Sequence, residues 1–143
     1  MSQAKQHIAI VTSEFPPQPG GIGNHAYNLA LYLSKQNFRV AVIADQRSQT
    51  GNEEAVFDTA LPFAVTRIKR YDLRFRMYLK RILVTRKSIK KTSFIIATGK
   101  FSLWNVGLLS VFRSTPTMAV IHGTEVNFKP FFLRKSIDLA LKK

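Results

Sequence analysis

Short apolar segments rich in β-branched residues alternate along the chain with segments whose apolar positions recur at helical spacing. The pattern predicts strands at residues 7–13, 39–44, 63–68, 93–98 and 117–121. It predicts helices at residues 22–36, 73–89, 102–112 and 131–141, with a polar connection at residues 46–54. Continuous apolar strands are typical of a sheet buried on both faces. The alternation therefore predicts βαβ units and a doubly wound, Rossmann-like parallel α/β sheet.

Residues 94–112 are apolar enough to suggest a membrane span. Polar residues and a glycine interrupt the segment, namely Gly99, Lys100, Ser102 and Asn105. Because such interruptions are costly in lipid, we interpret the segment as a strand, a turn and a helix.

Ligands of doubly wound sheets bind beyond the carboxyl ends of the strands, where the strand order reverses. The first of these positions is a loop at residues 15–23, which holds three prolines and three glycines and leads directly into a helix. Glycine lets backbone amides approach a phosphate, and a helix amino terminus attracts it. The loop therefore suits a diphosphate, although a tight turn without a ligand has the same pattern.

The same glycines also satisfy the dinucleotide-binding fingerprint, since Gly21, Gly23 and Ala26 are spaced accordingly and Asp45 follows the second strand as a ribose-binding acid would. In that fingerprint the first glycine follows the strand almost at once, whereas seven residues lie between Ser13 and Gly21 here. A dinucleotide-binding oxidoreductase domain is therefore an alternative that the spacing disfavours. A phosphate-binding loop of the lysine type is excluded, because the lysine is missing.

Three elements in order, residues 14–17, 20–30 and 121–125, give the chain a resemblance to the family-4 retaining glycosyltransferases. That resemblance implies two Rossmann-like domains, of which residues 1–143 form the amino-terminal, acceptor-side one. The nucleotide-binding carboxy-terminal domain is absent from this sequence. We therefore expect the chain on its own not to be a complete enzyme.

The resemblance also assigns roles to matching residues. It implies contacts to the donor diphosphate for Gly20 and Gly21, and it assigns Gly23 and Gly123 to the donor-binding site as well. It implies that the catalytic residue His122 borders the donor sugar, and that His25, Thr124 and Glu125 belong to the acceptor side or the pocket. Lys100 joins this group by position alone. Both histidines could instead be structural, and Glu125 could cap a helix.

The reaction that the resemblance implies transfers a sugar from a nucleotide-sugar donor to a lipid-linked or polysaccharide acceptor. Catalysis of this kind depends on positioning and charge stabilisation. The donor is a substrate, and no cofactor is expected. The sequence also predicts no metal site, because it has no Asp-x-Asp element, no cysteine and no histidine cluster.

The charge is concentrated in one segment. The chain has 143 residues and a net charge of +14, and residues 67–91 hold eleven basic residues against the single acid Asp72. Apolar residues are interleaved with these, which suits a helix on an anionic membrane surface, with Arg74, Arg76, Lys80 and Arg81 as its cations. A solvated helix face and a nucleic-acid-binding α/β domain are the alternatives. Without a signal sequence, we expect a cytoplasmic protein that touches the inner face of the membrane.

Overall fold

A computed structural model describes residues 5–110 and 114–122. Its strands are β1 His7–Thr12, β2 Arg39–Asp45, β3 Ala64–Ile68, β4 Phe94–Thr98 and β5 Thr117–Val120. Its helices are α1 Gly21–Lys35, α2 Asn52–Thr59, α3 Arg74–Ser88 and α4 Lys100–Ser110, and a 3₁₀ turn, Ile89–Lys91, follows α3. The helix expected at residues 131–141 lies outside the described residues.

The five strands form one sheet in the order β3-β2-β1-β4-β5. All neighbouring pairs are parallel, and in the centre Ile10 lies opposite Val42 on one side and Ile96 on the other. The chain builds outward from β1 to β3, then returns to start β4 on the other side of β1. The predicted doubly wound parallel sheet is confirmed, and its strand order reverses between β1 and β4.

Alternate residues of the central strands belong to two separate hydrophobic cores, one on each face of the sheet. On one face Ile10 and Val42 pack with Ala26 and Ala30 of α1, and on the other face Val11 and neighbouring apolar residues pack with Val106 of α4. The period-two alternation of side chains explains this, since each central strand is covered by helices on both sides. Both faces of the central strands are therefore buried.

Helix α1 ends where the sequence indicated. Asn37 adopts a left-handed backbone conformation with φ of 67°, which stops the helix two residues after Lys35. Helix α2, in contrast, starts within the segment predicted to be a polar connection, so that prediction was wrong. The helix is only 8 residues long and buries just Glu54, so its sequence carries almost no apolar periodicity.

Residues 94–110 fold as strand β4, a turn at Gly99 and helix α4, as expected. Within the described residues, no helix is both long and apolar enough to cross a bilayer.

Candidate functional site

The loops after β1 and β4 meet at the carboxyl edge of the sheet. Gly99 has a left-handed φ of 84°, and a Cβ placed on it would lie 3.2 Å from Ser13 Oγ and 3.3 Å from Ile22 Cγ2. A side chain at position 99 would therefore push into the loop after β1 and into the start of α1. The turn at Gly99, which follows β4 where the strand order reverses, is thus in direct contact with the glycine loop.

Aromatic packing around Phe15 holds the proline-glycine loop against the domain. Phe15 is fully buried, and its ring makes edge contacts with Tyr27, Phe57 and Phe63 at centroid distances of 6.0 to 6.5 Å. The Arg67 guanidinium lies 5.2 Å above the Phe15 ring. Such contacts hold the loop in one conformation, so that its backbone amides have fixed positions.

Arg67 also fixes the loop by hydrogen bonding. It donates to the carbonyl oxygen of Pro16 and makes a two-point ion pair with Asp58, at 2.9 Å from Nε and 2.7 Å from Nη2. Its side chain is only 11% exposed. Arg67 is the first residue of the predicted basic segment, but its charge is paired with Asp58 inside the domain.

The three glycines of the loop differ in their surroundings. A Cβ on the buried Gly23 would lie 3.1 Å from backbone atoms of Glu14 and Phe15, whereas one on Gly21 would meet open space. A Cβ on Gly20 would collide with the Glu14 carboxylate and contact Arg47. Gly23 therefore has a packing role that explains its presence, while Gly20 and Gly21 stand at the accessible start of α1.

Two histidines predicted for the site lie against each other. The rings of His25 and His122 are in edge contact with centroids 5.1 Å apart. The Nε2 atom of His122 is 2.8 Å from Oγ1 of Thr98, whose side chain is fully buried at the end of β4. Thr98 was missed by sequence reasoning; its signal is a polar residue that closes an otherwise apolar strand.

His25 lies four residues beyond Gly21, which is about 6 Å along the helix axis. His122 therefore lies at the same sheet edge as the glycine loop, on the side of β4. The other predicted members of this constellation, Gly123, Thr124 and Glu125, lie outside the described residues. Lys100 begins α4 at this edge, and its side chain lies outside the described part.

A pocket of about 410 Å³ opens at the carboxyl ends of β1 and β2, beside the glycine loop. Its walls come from the loops after these strands, from Arg70 and from α3, and they comprise Ser13, Glu14, Asp45, Gln46, Arg47, Arg70, Met77 and Arg81. Apart from Asp45 and Arg81, none of these was predicted as a site residue.

Asp45 and Arg81 form an ion pair in the pocket wall. Nε of Arg81 donates to Oδ1 of Asp45 at 3.0 Å, and Nη2 donates to Oδ2. Burial raises the pKa of Asp45 above its ordinary value, although the hydrogen bonds and charge of Arg81 act to lower it. The carboxylate is occupied by Arg81, which argues against its service as a ribose-binding acid.

Arg81 differs from its predicted place on an exposed cationic face. Its side chain is 18% exposed, and the guanidinium stacks on Phe101 at 4.0 Å. Arg76 and Lys80 are exposed, in agreement with the prediction, while the side chain of Arg74 lies outside the described part. Sequence reasoning placed Arg81 outside because helical periodicity cannot reveal a buried acid on a neighbouring strand.

The loop after β2 is organised by a buried glutamate. Glu54, 1% exposed, accepts hydrogen bonds from the backbone N–H groups of Arg47 at 2.9 Å and Ser48 at 2.8 Å, and from the Ser48 hydroxyl. Burial acts to raise the pKa of Glu54, but these hydrogen bonds outweigh it and lower the pKa to about 2. The Arg47 side chain in turn donates to the carbonyl oxygen of Pro19 at 2.9 Å.

Within residues 5–110 and 114–122, no group of three His, Asp or Glu residues is arranged to hold a metal ion. The site is built from backbone amides, two histidines and hydrogen-bonded arginines. This inventory suits the binding of anionic and hydroxylated ligands by hydrogen bonds and charge.

Three solved structures share the fold of this domain. The chain superimposes on MurG of Acinetobacter baumannii with a TM-score of 0.61, at 17% identity over 92% of this chain and 39% of that one. UGT2 of Phytolacca americana, solved with UDP-2fluoro-glucose and pterostilbene, gives 0.55 at 13% identity, over 83% of this chain and 31% of that one. LpCGTa, solved with UDP, gives 0.51 at 16% identity, over 81% and 30%.

A doubly wound domain with its candidate site at the strand-order reversal is thus one Rossmann-like unit of a larger fold, because the chain spans only 30 to 39% of these structures. The sequence model of Glycosyltransferase Family 4 matches residues 19–142. The chain belongs to Glycosyltransferase Family 4, which confirms the resemblance seen in the sequence. No curated protein matches the chain significantly.

Proposed function

We propose that this domain works in a retaining glycosyltransferase that moves a sugar from a nucleotide-sugar donor to a lipid-linked or polysaccharide acceptor. The observation that supports this most directly is the position of His122. It is hydrogen-bonded to Thr98 and packed on His25 at the carboxyl edge of the sheet, beside the glycine loop. UDP and a UDP-sugar analogue in two of the similar structures fit the same class of donor.

In the proposed reaction the donor diphosphate lies over the backbone of Gly20 and Gly21. The accessible amides and the amino terminus of α1 stabilise the negative charge that grows as the diphosphate leaves. The acceptor hydroxyl attacks the anomeric carbon from the face that the diphosphate leaves, so the anomeric configuration is retained. The domain contributes by positioning and electrostatics, and it does so without a metal.

His122 borders the donor sugar in this arrangement. The hydrogen bond between Thr98 and Nε2 of His122 sets the orientation of the imidazole ring, and this orientation determines where the second ring nitrogen points. His25 supports the ring by edge contact and is itself exposed on α1, and we assign it to the acceptor side. A second domain would supply the pocket for the base and ribose and the basic groups for the phosphates. For that reason we expect the chain to bind the donor weakly and to be inactive alone.

Donor binding can be tested on the chain itself. In ¹H–¹⁵N NMR titrations with UDP-glucose, we expect shifts concentrated at Gly20, Gly21 and His122. Replacement of His122 by alanine should weaken binding several-fold. His7→Ala is the matched control, since His7 lies at the amino end of β1, the opposite edge of the sheet. Equal effects of the two variants, or shifts spread over the amino edge, would contradict the proposal.

We further propose that helix α3 carries the protein to an anionic membrane surface. Phe75, Leu79 and Leu83 repeat every four residues along one face and are 75%, 46% and 51% exposed. Arg76 and Lys80 lie beside this apolar stripe and are exposed. An amphipathic helix with a cationic flank binds lipid by apolar burial together with attraction to anionic headgroups.

An aromatic corner extends the same surface. Tyr78, Phe101 and Trp104 lie with ring centroids 5.1 to 6.1 Å apart, where α3 meets the first turns of α4. Tyrosine and tryptophan favour the headgroup region of a bilayer. Because α4 begins at the carboxyl edge, contact here would bring the candidate site close to a lipid-linked acceptor.

Trp104 is the only tryptophan of the chain and reports on this contact directly. We expect its fluorescence to shift to the blue with vesicles of phosphatidylglycerol but not with phosphatidylcholine. The Arg76→Gln/Lys80→Gln variant should lose the shift, whereas Lys35→Gln/Arg39→Gln, with charges at the far edge, should keep it. Indifference to lipid charge would refute the membrane proposal. Retention of nucleic acid at physiological salt would support the nucleic-acid alternative instead.

A further inference from the structure

The pocket beside the glycine loop has an unbalanced set of charges. Of its charged lining residues, Asp45 and Arg81 neutralise each other in their ion pair. Glu14, Arg47 and Arg70 remain, and in the part of the chain that the structure describes none of these three forms an ion pair. The pocket therefore presents two cations and one carboxylate to a ligand.

Arg47 is held in place before any ligand arrives. Its backbone N–H is fixed by Glu54 at 2.9 Å, and Nη1 is fixed by the carbonyl oxygen of Pro19 at 2.9 Å. The same guanidinium lies beside Gly20. A guanidinium has five N–H donors, so most of them stay available, and its planar fork matches the oxygens of a phosphate. Preorganisation lowers the entropic cost of binding.

The carboxylate of Glu14 adds a selective element. It lies against Gly20 on the pocket side of the loop and can accept hydrogen bonds from hydroxyl groups. It would repel an anion that approached it directly. A ligand with a phosphate at one end and hydroxyl groups at the other satisfies both Arg47 and Glu14.

We propose that this pocket binds a phosphate ester of a polyhydroxylated compound, with Arg47 and Arg70 on the phosphate and Glu14 on a hydroxyl. The chemistry fits either the acceptor or the diphosphate-bearing donor. The assignment to a sugar-transfer substrate rests on the proposed function, whereas the binding of a phosphate ester does not. Arg70 is exposed and would close over the phosphate from the β3–α3 connection.

Calorimetry tests the pocket by comparing the affinity for glucose 6-phosphate with the affinity for uncharged glucose. Arg47→Met should weaken glucose 6-phosphate binding roughly tenfold or more, the scale for losing hydrogen bonds to a charged group. Arg70→Met should weaken it less and leave folding unchanged, because the Arg70 side chain makes no hydrogen bond or ion pair with the other described residues. Arg39→Met is the matched control, because Arg39 is exposed at the amino edge of the sheet.

The source of the phosphate is resolved by competition with UDP. If UDP and glucose 6-phosphate bind together, the pocket belongs to the acceptor. If UDP displaces glucose 6-phosphate and Arg47→Met weakens both, the pocket serves the donor diphosphate. Equal affinity for glucose and glucose 6-phosphate, or equal losses in Arg39→Met and both pocket variants, would overturn the proposal. The UDP-glucose shifts at Gly20, Gly21 and His122 report separately on the proposed function.

Discussion

Glu54 provides a quantitative test of how the loops at the carboxyl edge are held. The substitution Glu54→Gln keeps the size of the side chain but replaces an acceptor-only carboxylate with an amide that carries two donors. Three donor groups of Arg47 and Ser48 point at that position. The variant therefore loses the charge-assisted hydrogen bonds and places donors opposite one another.

The magnitude follows from the pKa. Hydrogen bonding outweighs burial and lowers the pKa of Glu54 from 4.5 to about 2. Each pKa unit corresponds to about 1.4 kcal/mol, so the ionised side chain contributes about 3 kcal/mol to folding at neutral pH. Because the folded-state pKa is lowered, this contribution is present above pH 4.5 and is lost as the pH falls toward about 2.

Urea unfolding followed by circular dichroism measures both effects. We expect Glu54→Gln to lower the free energy of unfolding by about 3 kcal/mol at pH 7, and to flatten the loss of stability between pH 4.5 and pH 2. Glu53→Gln is the matched control, since the neighbouring Glu53 carboxylate accepts an exposed hydrogen bond from Gln18. The reasoning would be refuted if the two variants lowered the free energy of unfolding equally, or if Glu54→Gln lost stability at acid pH as the unmodified protein does.

Two further substitutions test other contacts of the site. Arg81→Met leaves Asp45 buried without its partner and should cost about 3 to 5 kcal/mol. The loss of stability in Arg81→Met should become smaller as the pH falls, because the raised pKa of Asp45 rises further without Arg81. Arg86→Met is the control, and it should change the urea midpoint little because Arg86 is exposed. Gly23→Ala should cost about 1 to 3 kcal/mol by thermal unfolding, since its Cβ meets backbone at 3.1 Å. Gly21→Ala, which meets open space, should be neutral or stabilising, and equal effects at the two glycines would contradict the packing role of Gly23.

The sequence by itself determined the fold class and the sheet edge at which the candidate site lies. Apolar strands such as residues 7–13 and 93–98 are typical of a sheet buried between two helical layers, and parallel strands bring their carboxyl ends to one edge. Prolines and glycines marked the loop after β1 for the same local reason, since they exclude regular structure. These inferences use only neighbours in sequence.

Only the tertiary structure decided which charged and polar residues work together. Arg81 lies 36 positions from Asp45, and Thr98 lies 24 positions from His122, so periodicity along one element could not reveal either pair. Helix α2 escaped notice because its one buried side chain is Glu54, whose carboxylate is stabilised by loop donors rather than by apolar packing. Burial of a charge depends on a partner that the fold brings into contact, and local pattern carries no information about that partner.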